Sequence, residues 1–124
     1  MVTNPTLFSC FLPLPKEAIQ YATQLFANPP KELLGDDDML CFDHRAKKDG
    51  YWFFSKGISE PGQLADFIHH LIVKFNLPPF GFDWSYTCTK PRIDEFGGGA
   101  VWITKKGFEW MSTNCWLHEK KDRQ

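Results

Sequence analysis

The stretch TCTKPRIDEFGGGAVWITKKGFEWMSTNCW, Thr87–Trp116, is the part of the sequence around which the rest of the predicted fold is organised. It starts at the end of an alternating strand and crosses a loop, 90–96, in which a proline stands between two basic residues. Three consecutive glycines follow. The segments Ala100–Thr104 and Phe108–Thr113 then predict a β-hairpin, with Gly107 placed for the left-handed backbone of a tight turn.

The segment Gly81–Cys88, which leads into this stretch, alternates between two kinds of residue. One face of the segment takes Phe82, Trp84, Tyr86 and Cys88, and the other takes Asp83, Ser85 and Thr87. A period of two is typical of a β-strand with one buried face. We therefore expect a half-buried strand here.

The remaining elements alternate between strands and helices. Strands are predicted at Thr6–Leu12, which we expect to be buried, and at Met39–Asp43 and Tyr51–Ser55. Helices are predicted from Pro15 to Asn28, where two prolines stop the first helix, and from Ser59, its N-cap, to Asn76. This order predicts an α+β fold: an antiparallel sheet with two helices on one face, in β-α-β-β-α-β order plus a C-terminal β-hairpin. We expect one α+β domain over residues 1–117, with Cys115-Trp116-Leu117 packed back onto the core, and a flexible polar tail over residues 118–124.

The composition of the chain restricts the classes of protein to which it can belong. The chain has 124 residues, of which 43% are hydrophobic and 23% charged, as is typical of one soluble globular domain. No stretch reaches the apolar length of a membrane span, so we expect no membrane association. The net charge of −1 weighs against general electrostatic binding of DNA. Five tryptophans cannot all be buried in so small a core, so we expect at least one at the surface, where it can serve binding.

The four cysteines, Cys10, Cys41, Cys88 and Cys115, are far apart and form no CxxC pair. This pattern predicts reduced, buried thiols of an intracellular protein. Cys88, at a strand end beside a polar loop, is the best placed of the four to act as a nucleophile, but no catalytic signature surrounds it. We therefore predict no catalytic residue, and an enzyme is the less favoured class.

Two residue pairs and one acidic run resemble metal sites. Cys41 with His44, and Cys115 with His118, are both C-x2-H pairs that together would supply four zinc ligands. The first pair ends a predicted strand, however, where residues three apart face opposite sides. The aspartates at 36–38 lack the alternating oxygen ligands of an EF-hand and indicate a solvated acidic turn. We predict no metal and no cofactor.

Gly97, Gly98 and Gly99 form the sharpest local feature of the chain. Glycine is costly to order, so three in a row indicate a backbone that other residues cannot adopt, or a close approach by another group. A bulge or a tight start to the hairpin is the structural interpretation. The alternative is an anion site, although no GK[ST] follows and the glycines precede a strand rather than a helix.

Basic and aromatic residues cluster around these glycines. The predicted binding surface consists of Lys90, Arg92, Asp94, Gly97, Gly98, Gly99, Trp102, Lys105, Lys106 and Trp110. Tryptophan combined with lysine and arginine is the means by which many proteins bind single-stranded nucleic acid. The acidic residues Glu95 and Glu109 lie in the same region and weaken that interpretation.

Two further features allow more than one interpretation. Tyr51–Phe54 is aromatic on both faces of its strand, which indicates either a central strand covered on both sides or a strand with a binding face. The pair at 69–70, His-His, falls off the apolar stripe of the second helix. A solvated face is expected there, with a pH switch or a catalytic histidine as the alternatives.

The segment Cys88–Leu117 resembles small uncharacterised proteins encoded by bacteriophages, prophages and plasmids of bacteria. The resemblance rests on Lys90-Pro91-Arg92, on Phe96-Gly97-Gly98-Gly99-Ala100, and on Ser112-Thr113 with Trp116-Leu117. It brings no established activity. It implies a cytoplasmic location in a bacterial host cell and an accessory protein that binds and blocks a host component, such as a defence complex.

These observations favour a non-enzymatic binding protein of mobile-element origin that binds and inhibits a host protein or protein complex. The missing catalytic signature, the aromatic excess, the near-neutral charge and the resemblance all support this expectation. A single-stranded nucleic-acid binding module is the first alternative. A small enzyme, or an anion or nucleotide binder that uses the Gly97–Gly99 loop, is the second.

Overall fold

The computed structural model describes residues 6–56, 59–86 and 97–122. These residues form an α+β fold with two antiparallel sheets, which confirms the predicted fold class. The strands are β1 (Thr6–Leu7), β2 (Ser9–Pro13), β3 (Asp43–Lys47), β4 (Gly50–Phe54), β5 (Phe80–Tyr86), β6 (Gly97–Thr104) and β7 (Gly107–Ser112). The helices are α1 (Lys16–Ala27), α2 (Lys31–Leu34), α3 (Pro61–Phe75) and α4 (Thr113–Asp122).

The strands divide between two sheets, where the sequence predicted one. Sheet A has the order β1-β5-β6-β7, and sheet B has the order β2-β4-β3. Only Phe8 separates β1 from β2, so one extended segment pairs first with sheet A and then with sheet B. The Phe8 carbonyl accepts the Ser55 N–H at 2.9 Å, and the Phe8 ring packs on Phe82 with centroids 5.9 Å apart. Phe8 therefore joins the two sheets.

Side-chain alternation along residues 6–13 continues unbroken through this junction. Thr6, Phe8 and Leu12 are buried, whereas Leu7, Ser9, Phe11 and Pro13 are exposed. Successive residues of an extended chain point to opposite faces, so sheets A and B expose the same side of the molecule. We call this side the outer face. The prediction of a wholly buried first strand was wrong.

Helices α1 and α3 cover the other side, where the core lies. Helix α3 packs against β6, and helix α1 packs against both β4 and α3. Phe26 of α1 is central to this core, with its ring centroid 5.8 Å from Phe42, 5.7 Å from Phe53 and 5.5 Å from Phe67. The two predicted helices therefore share one face of the sheets, as expected.

The helix ends follow the sequence signals with one exception. Helix α1 ends at Ala27 with Asn28 as its C-cap, and α3 ends before Asn76, whose φ of +54° breaks the helical path. Ser59 was predicted as the N-cap of α3, but Glu60 takes that position. The Ser59 hydroxyl accepts the Lys56 N–H at 2.7 Å instead, which closes the turn before the helix.

The connector between α1 and β3 differs from the prediction. Its first residues form the short helix α2, and 39–42, predicted as the start of a strand, are irregular. The buried Gln63 side chain explains this path. Its Oε1 accepts the Cys41 N–H at 2.7 Å, and its Nε2 donates to the Met39 carbonyl at 3.1 Å. Strand β3 therefore starts only at Asp43.

Both hairpins were predicted, but the first strand of the β3–β4 hairpin was expected at Met39–Asp43 and lies at Asp43–Lys47, and each turn is shorter than expected. The β3–β4 turn contains only residues 48–49, and Gly50 is already in β4 without a positive φ. A Cβ at Gly50 would lie 2.2 Å from the Leu12 carbonyl oxygen, so close approach to β2 requires glycine there. At the β6–β7 turn, Gly107 has a φ of +142°, which favours glycine as expected.

The chain after β7 forms a helix that the sequence did not predict. Residues 113–122 form α4, where a packed segment and then a polar tail from His118 were expected. Trp116 and Leu117 were expected to pack onto the core, but they are 50% and 49% exposed. The prediction failed because the apolar residues of 113–122 form no continuous helical stripe.

Candidate interaction surface

Seven of the ten predicted binding residues lie in the described part of the structure. The other three, Lys90, Arg92 and Asp94, lie outside the described residues. Cys88, the weighed nucleophile, also lies outside them. The glycines and Trp102 are in β6, Lys105 and Lys106 form the β6–β7 turn, and Trp110 is in β7.

Gly97–Gly99 form the start of β6, in register with β5, rather than a loop before the hairpin. A Cβ at Gly98 would lie 2.4 Å from the Trp84 carbonyl oxygen, and one at Gly99 would lie 2.6 Å from the Trp84 indole. The Gly98 N–H donates to Thr113 Oγ1 at 3.0 Å. Close packing against Trp84 therefore explains two of these glycines, and the Gly98 amide already has a partner within the chain.

The two tryptophans of the β6–β7 hairpin lie on opposite faces of sheet A. Trp102 pairs with Glu109 and Gly81, whereas Trp110 pairs with Val101, which is buried on the helix side. The Trp110 ring accordingly contacts two rings of that side, Trp84 at 6.0 Å and Phe108 at 5.7 Å between centroids. The predicted basic and aromatic surface is therefore divided between two faces.

Trp102 is the centre of an apolar area on the outer face of sheet A. Its ring lies over Gly81, where a Cβ would meet Trp102 Cε3 at 2.7 Å. The next register row on the same face of the sheet pairs Ala100 with Met111, beside Trp102. Trp102 and Met111 are each 49% exposed and border a shallow depression of about 530 Å³. We call Gly81, Ala100, Trp102 and Met111 the sheet A patch.

Two carboxylates flank the sheet A patch. Glu109 stands directly across from Trp102 in the β6–β7 register, and Asp83 stands across from Ala100 in the β5–β6 register. Both carboxylate side chains are exposed. Lys105 and Lys106 lie at the turn beyond Trp102 and are also exposed. The patch is therefore apolar at its centre and acidic along its flanks.

A second outer-face area lies on sheet B, and the sequence only partly predicted it. Phe11, Trp52 and Arg45 form one register row across β2, β4 and β3. The Trp52 and Phe54 rings pack at an interplanar angle of 32° with centroids 4.2 Å apart, and the Lys47 ammonium lies 5.5 Å from the Trp52 ring centroid. We call these five residues the sheet B patch. The aromatic alternation of 51–54 was the signal for it.

Strand β4 is the central strand of sheet B, as one of the two interpretations of its sequence required. Tyr51 and Phe53 are buried on the helix side, and Trp52 and Phe54 are half-buried on the outer face. Trp52 Nε1 donates to Ser9 Oγ at 2.8 Å, which fixes the indole orientation. Only the helix side of the strand is covered, so the interpretation of a strand covered on both sides was wrong, and a binding role of the outer face stays a prediction.

The histidines of α3 pack against neighbouring elements rather than facing solvent. The hydroxyl of Tyr21 and Nε2 of His70 are 2.7 Å apart, and the two rings stack at 5.8 Å. Nε2 of His69 lies 3.3 Å from the Lys105 carbonyl oxygen. Burial, followed by the Lys74 charge, lowers the pKa of His70. The expectation of a solvated histidine face was wrong because Tyr21 of α1 covers His70.

A groove of about 350 Å³ runs beside these histidines between α2 and α3, and Asp66 is one of its lining residues. Burial raises the pKa of the Asp66 carboxyl, and the His69 charge opposes that shift. Within 6–56, 59–86 and 97–122, no group of three or more histidine, cysteine or acidic residues could hold a metal ion. The described lining of the groove thus has two histidines and two carboxyls, those of Glu32 and Asp66, but no metal site.

Two of the described thiols, Cys10 and Cys41, are poorly suited to catalysis. Burial, followed by the charge of Asp83, raises the pKa of Cys10 to about 12. Burial, followed by the charge of Asp37, also raises the pKa of Cys41. A thiol with a raised pKa stays protonated near neutral pH and is a weak nucleophile and metal ligand. Cys10 and Cys41 are half-buried and Cys115 is exposed, so the prediction of buried thiols was wrong for Cys115 and holds only in part for the other two.

Comparison with protein-family models, with curated proteins and with solved structures finds no match to this chain. In the described ranges, no helix is both long and apolar enough to cross a membrane.

Proposed function

We propose that this chain is a non-enzymatic binding protein that holds a protein partner on the sheet A patch. The observation that supports this proposal best is the outer face of sheet A, on which Trp102 and Met111 are half exposed among the described residues. Contiguous exposed apolar surface of this kind is characteristic of protein–protein contact sites. Tryptophan and methionine are both enriched in such sites.

The energetic argument concerns Trp102. A tryptophan side chain buries 150–250 Å² when it is fully covered, so covering its exposed half removes on the order of 100 Å² from water. At about 25 cal/mol per Å², this contributes roughly 2–3 kcal/mol to binding. That contribution is the size expected of a central interface residue. Because the ring is already packed over Gly81, little side-chain freedom is lost on binding.

The charges around the patch indicate the chemistry of the partner. Asp83 and Glu109 flank the apolar centre, so a partner with an apolar contact surface and nearby lysine or arginine fits best. A polyanion would face these two carboxylates directly beside the apolar centre, whereas Lys105 and Lys106 lie beyond it at the turn. The sheet A patch therefore favours a protein over a nucleic acid.

The described residues give less support to an enzyme or to an anion site. The Gly98 N–H, which an anion site at the glycines would use, donates to Thr113 Oγ1. The thiols of Cys10 and Cys41 have raised pKa values. The proposal that the partner is a host component rests on the resemblance to proteins of mobile elements. The same proposal includes inhibition of that component by this chain.

Affinity capture from nuclease-treated bacterial lysate tests the proposal. Immobilised wild type, Trp102→Ser and Met111→Ser would be compared with Val73→Ser, which removes an equally exposed apolar side chain from α3. We expect a protein that is retained by wild type and Val73→Ser and lost by both patch variants. Equal retention by all four chains would contradict the assigned surface. Circular dichroism of each variant establishes that its fold is intact.

A further inference from the structure

The sheet B patch combines aromatic rings with cations in two adjacent register rows. One row contains Phe11, Trp52 and Arg45, and the next contains Pro13, Gly50 and Lys47. Phe11 is 43% exposed, and its ring lies over Gly50, where a Cβ would meet the ring tip at 2.7 Å. The glycine thus lets the Phe11 ring lie along the sheet.

The cations stand at one end of these rings. Arg45 is the cross-strand neighbour of Trp52, and Lys47 places its ammonium 5.5 Å from the Trp52 ring centroid. Both basic side chains are exposed. Directly opposed residues on one face of an antiparallel pair have Cβ atoms about 5 Å apart, so Arg45 is within reach of anything stacked beside Trp52.

The two patches differ in charge although they share the outer face. The sheet A patch is flanked by the carboxylates of Asp83 and Glu109, whereas Arg45 and Lys47 share the outer face of sheet B with Phe11 and Trp52. Asp43 is on the same face of β3 and pairs with Phe54, at the far end from Lys47. The end of the sheet B patch that contains Arg45 and Lys47 therefore attracts a polyanion more than the flanks of the sheet A patch do.

We propose that the sheet B patch binds single-stranded nucleic acid, with bases stacked on Phe11 and Trp52 and phosphates held by Arg45 and Lys47. Aromatic platforms next to basic side chains are the means by which proteins bind single strands without sequence preference. Bases supply the flat rings and phosphates supply the anions that this patch matches. The proposal is independent of the partner proposed for sheet A.

A protein ligand fits the sheet B patch less well than a nucleic acid does. Covering Phe11 and Trp52 with an apolar protein surface would also bury the ends of Arg45 and Lys47, and burying unpaired charges is costly. A phosphate backbone neutralises those cations while the bases cover the rings. Because Trp52 is fixed by its bond to Ser9, the platform does not need to be ordered on binding.

Fluorescence anisotropy with labelled oligo(dT) and oligo(rU) of about 15 nucleotides tests the proposal, since single-strand sites commonly span this length or less. We expect binding that weakens roughly tenfold when salt rises from about 50 to about 200 mM, because two or three phosphate contacts release counterions. Phe11→Ala should weaken binding about fivefold or more, as loss of a stacking ring does. The same-length duplex should bind more weakly.

Charge reversal supplies the matched comparison. Arg45→Glu and Lys47→Glu, both at exposed positions, should abolish binding, whereas Lys16→Glu on the helix side should leave most of it. Trp102→Ser should bind oligonucleotide as wild type does, which separates this site from the protein site. Circular dichroism verifies the fold of each chain.

Four results would overturn the proposal. The first is that no oligonucleotide binds at about 50 mM salt, where electrostatic attraction is strong. The second is that Phe11→Ala and Lys47→Glu leave the affinity unchanged, and the third is that duplex binds as tightly as single strand. The fourth is that a photo-cross-linking residue in place of Phe11 gives a protein adduct instead of a nucleic-acid adduct.

Discussion

The indole of Trp102 lies flat over Gly81, its cross-strand partner on β5. A Cβ at position 81 would lie 2.7 Å from Trp102 Cε3 and 3.1 Å from the Val101 carbonyl oxygen. Only a residue without a side chain leaves room for this ring orientation. The exposed tryptophan of the sheet A patch is therefore held in place by a glycine on the neighbouring strand.

Gly81→Ala should displace the Trp102 ring and weaken partner capture. The added methyl group contacts the ring, which moves, so we expect a stability loss of about 1 kcal/mol and a capture loss close to that of Trp102→Ser. Tryptophan fluorescence and affinity capture would measure the two effects. Normal capture by Gly81→Ala would show that ring placement does not matter for the proposed contact.

Gly98→Ala should destabilise the fold more than Gly81→Ala does. A Cβ at 98 would lie 2.4 Å from the Trp84 carbonyl oxygen, and a backbone atom cannot move aside as a ring can. We expect a loss of about 2 kcal/mol or more in the free energy of unfolding. Gly62→Ala in α3 is the control, since no atom lies within 4 Å of its added Cβ. It should be neutral or stabilising by up to about 1 kcal/mol, and a similar loss at both positions would contradict the account.

Gln63→Leu should release the connector between α2 and β3. The change removes the partners of the Cys41 N–H and the Met39 carbonyl without opening a large cavity. Leaving buried polar groups unpaired costs about 1–3 kcal/mol, which guanidinium unfolding would detect. Gln20→Leu, on the exposed side of α1, should change stability by less than about 0.5 kcal/mol. If the two variants unfold alike, Gln63 does not hold the connector.

Acidification should destabilise the protein through His70. The pKa of His70 is lowered in the folded state, so the unfolded chain binds this proton more tightly. Stability is then fully present above about pH 6.5, the unfolded value, and falls as the pH drops toward the folded pKa. His70→Gln should reduce this slope in unfolding experiments between pH 7.5 and 5.5.

Two other titratable groups affect how strongly the stability of His70→Gln still depends on pH. His44 also has a lowered pKa and contributes in the same direction, whereas the raised pKa of Asp66 contributes in the opposite direction. An unchanged slope in His70→Gln would show that burial does not lower the pKa of His70.

The sequence predicted the elements whose signals are local. The alternation of Gly81–Tyr86, the apolar stripe of α3 and the proline-rich stop after α1 each depend on near neighbours, and each is found in the structure. The α+β class follows from their order. The start of β3 was misplaced because Gln63, 22 positions from Cys41, redirects the connector. No sequence pattern within 39–43 indicates the hydrogen bond between Cys41 and Gln63.

The candidate surface was predicted only in part, for a related reason. Trp102 and Trp110 are near in sequence, and only the register with β5 and the burial of Val101 show that they occupy opposite faces. Phe11 was assigned to a buried strand because its segment is apolar throughout. The continuous alternation through Phe8, which exposes Phe11, depends on two sheets sharing one segment.

Site-specific photo-cross-linking tests the central claim most directly. An aromatic photoreactive residue, which keeps a ring for the proposed contact, would replace Trp102 on the outer face or Val73 on α3, and the chains would be irradiated in nuclease-treated bacterial lysate. Both positions are exposed to a similar extent, at 49% and 52%. We predict one dominant protein adduct from position 102 that an excess of unlabelled wild type suppresses, and no such adduct from position 73. The same adduct pattern from both positions, or none from position 102, would contradict a protein partner on sheet A.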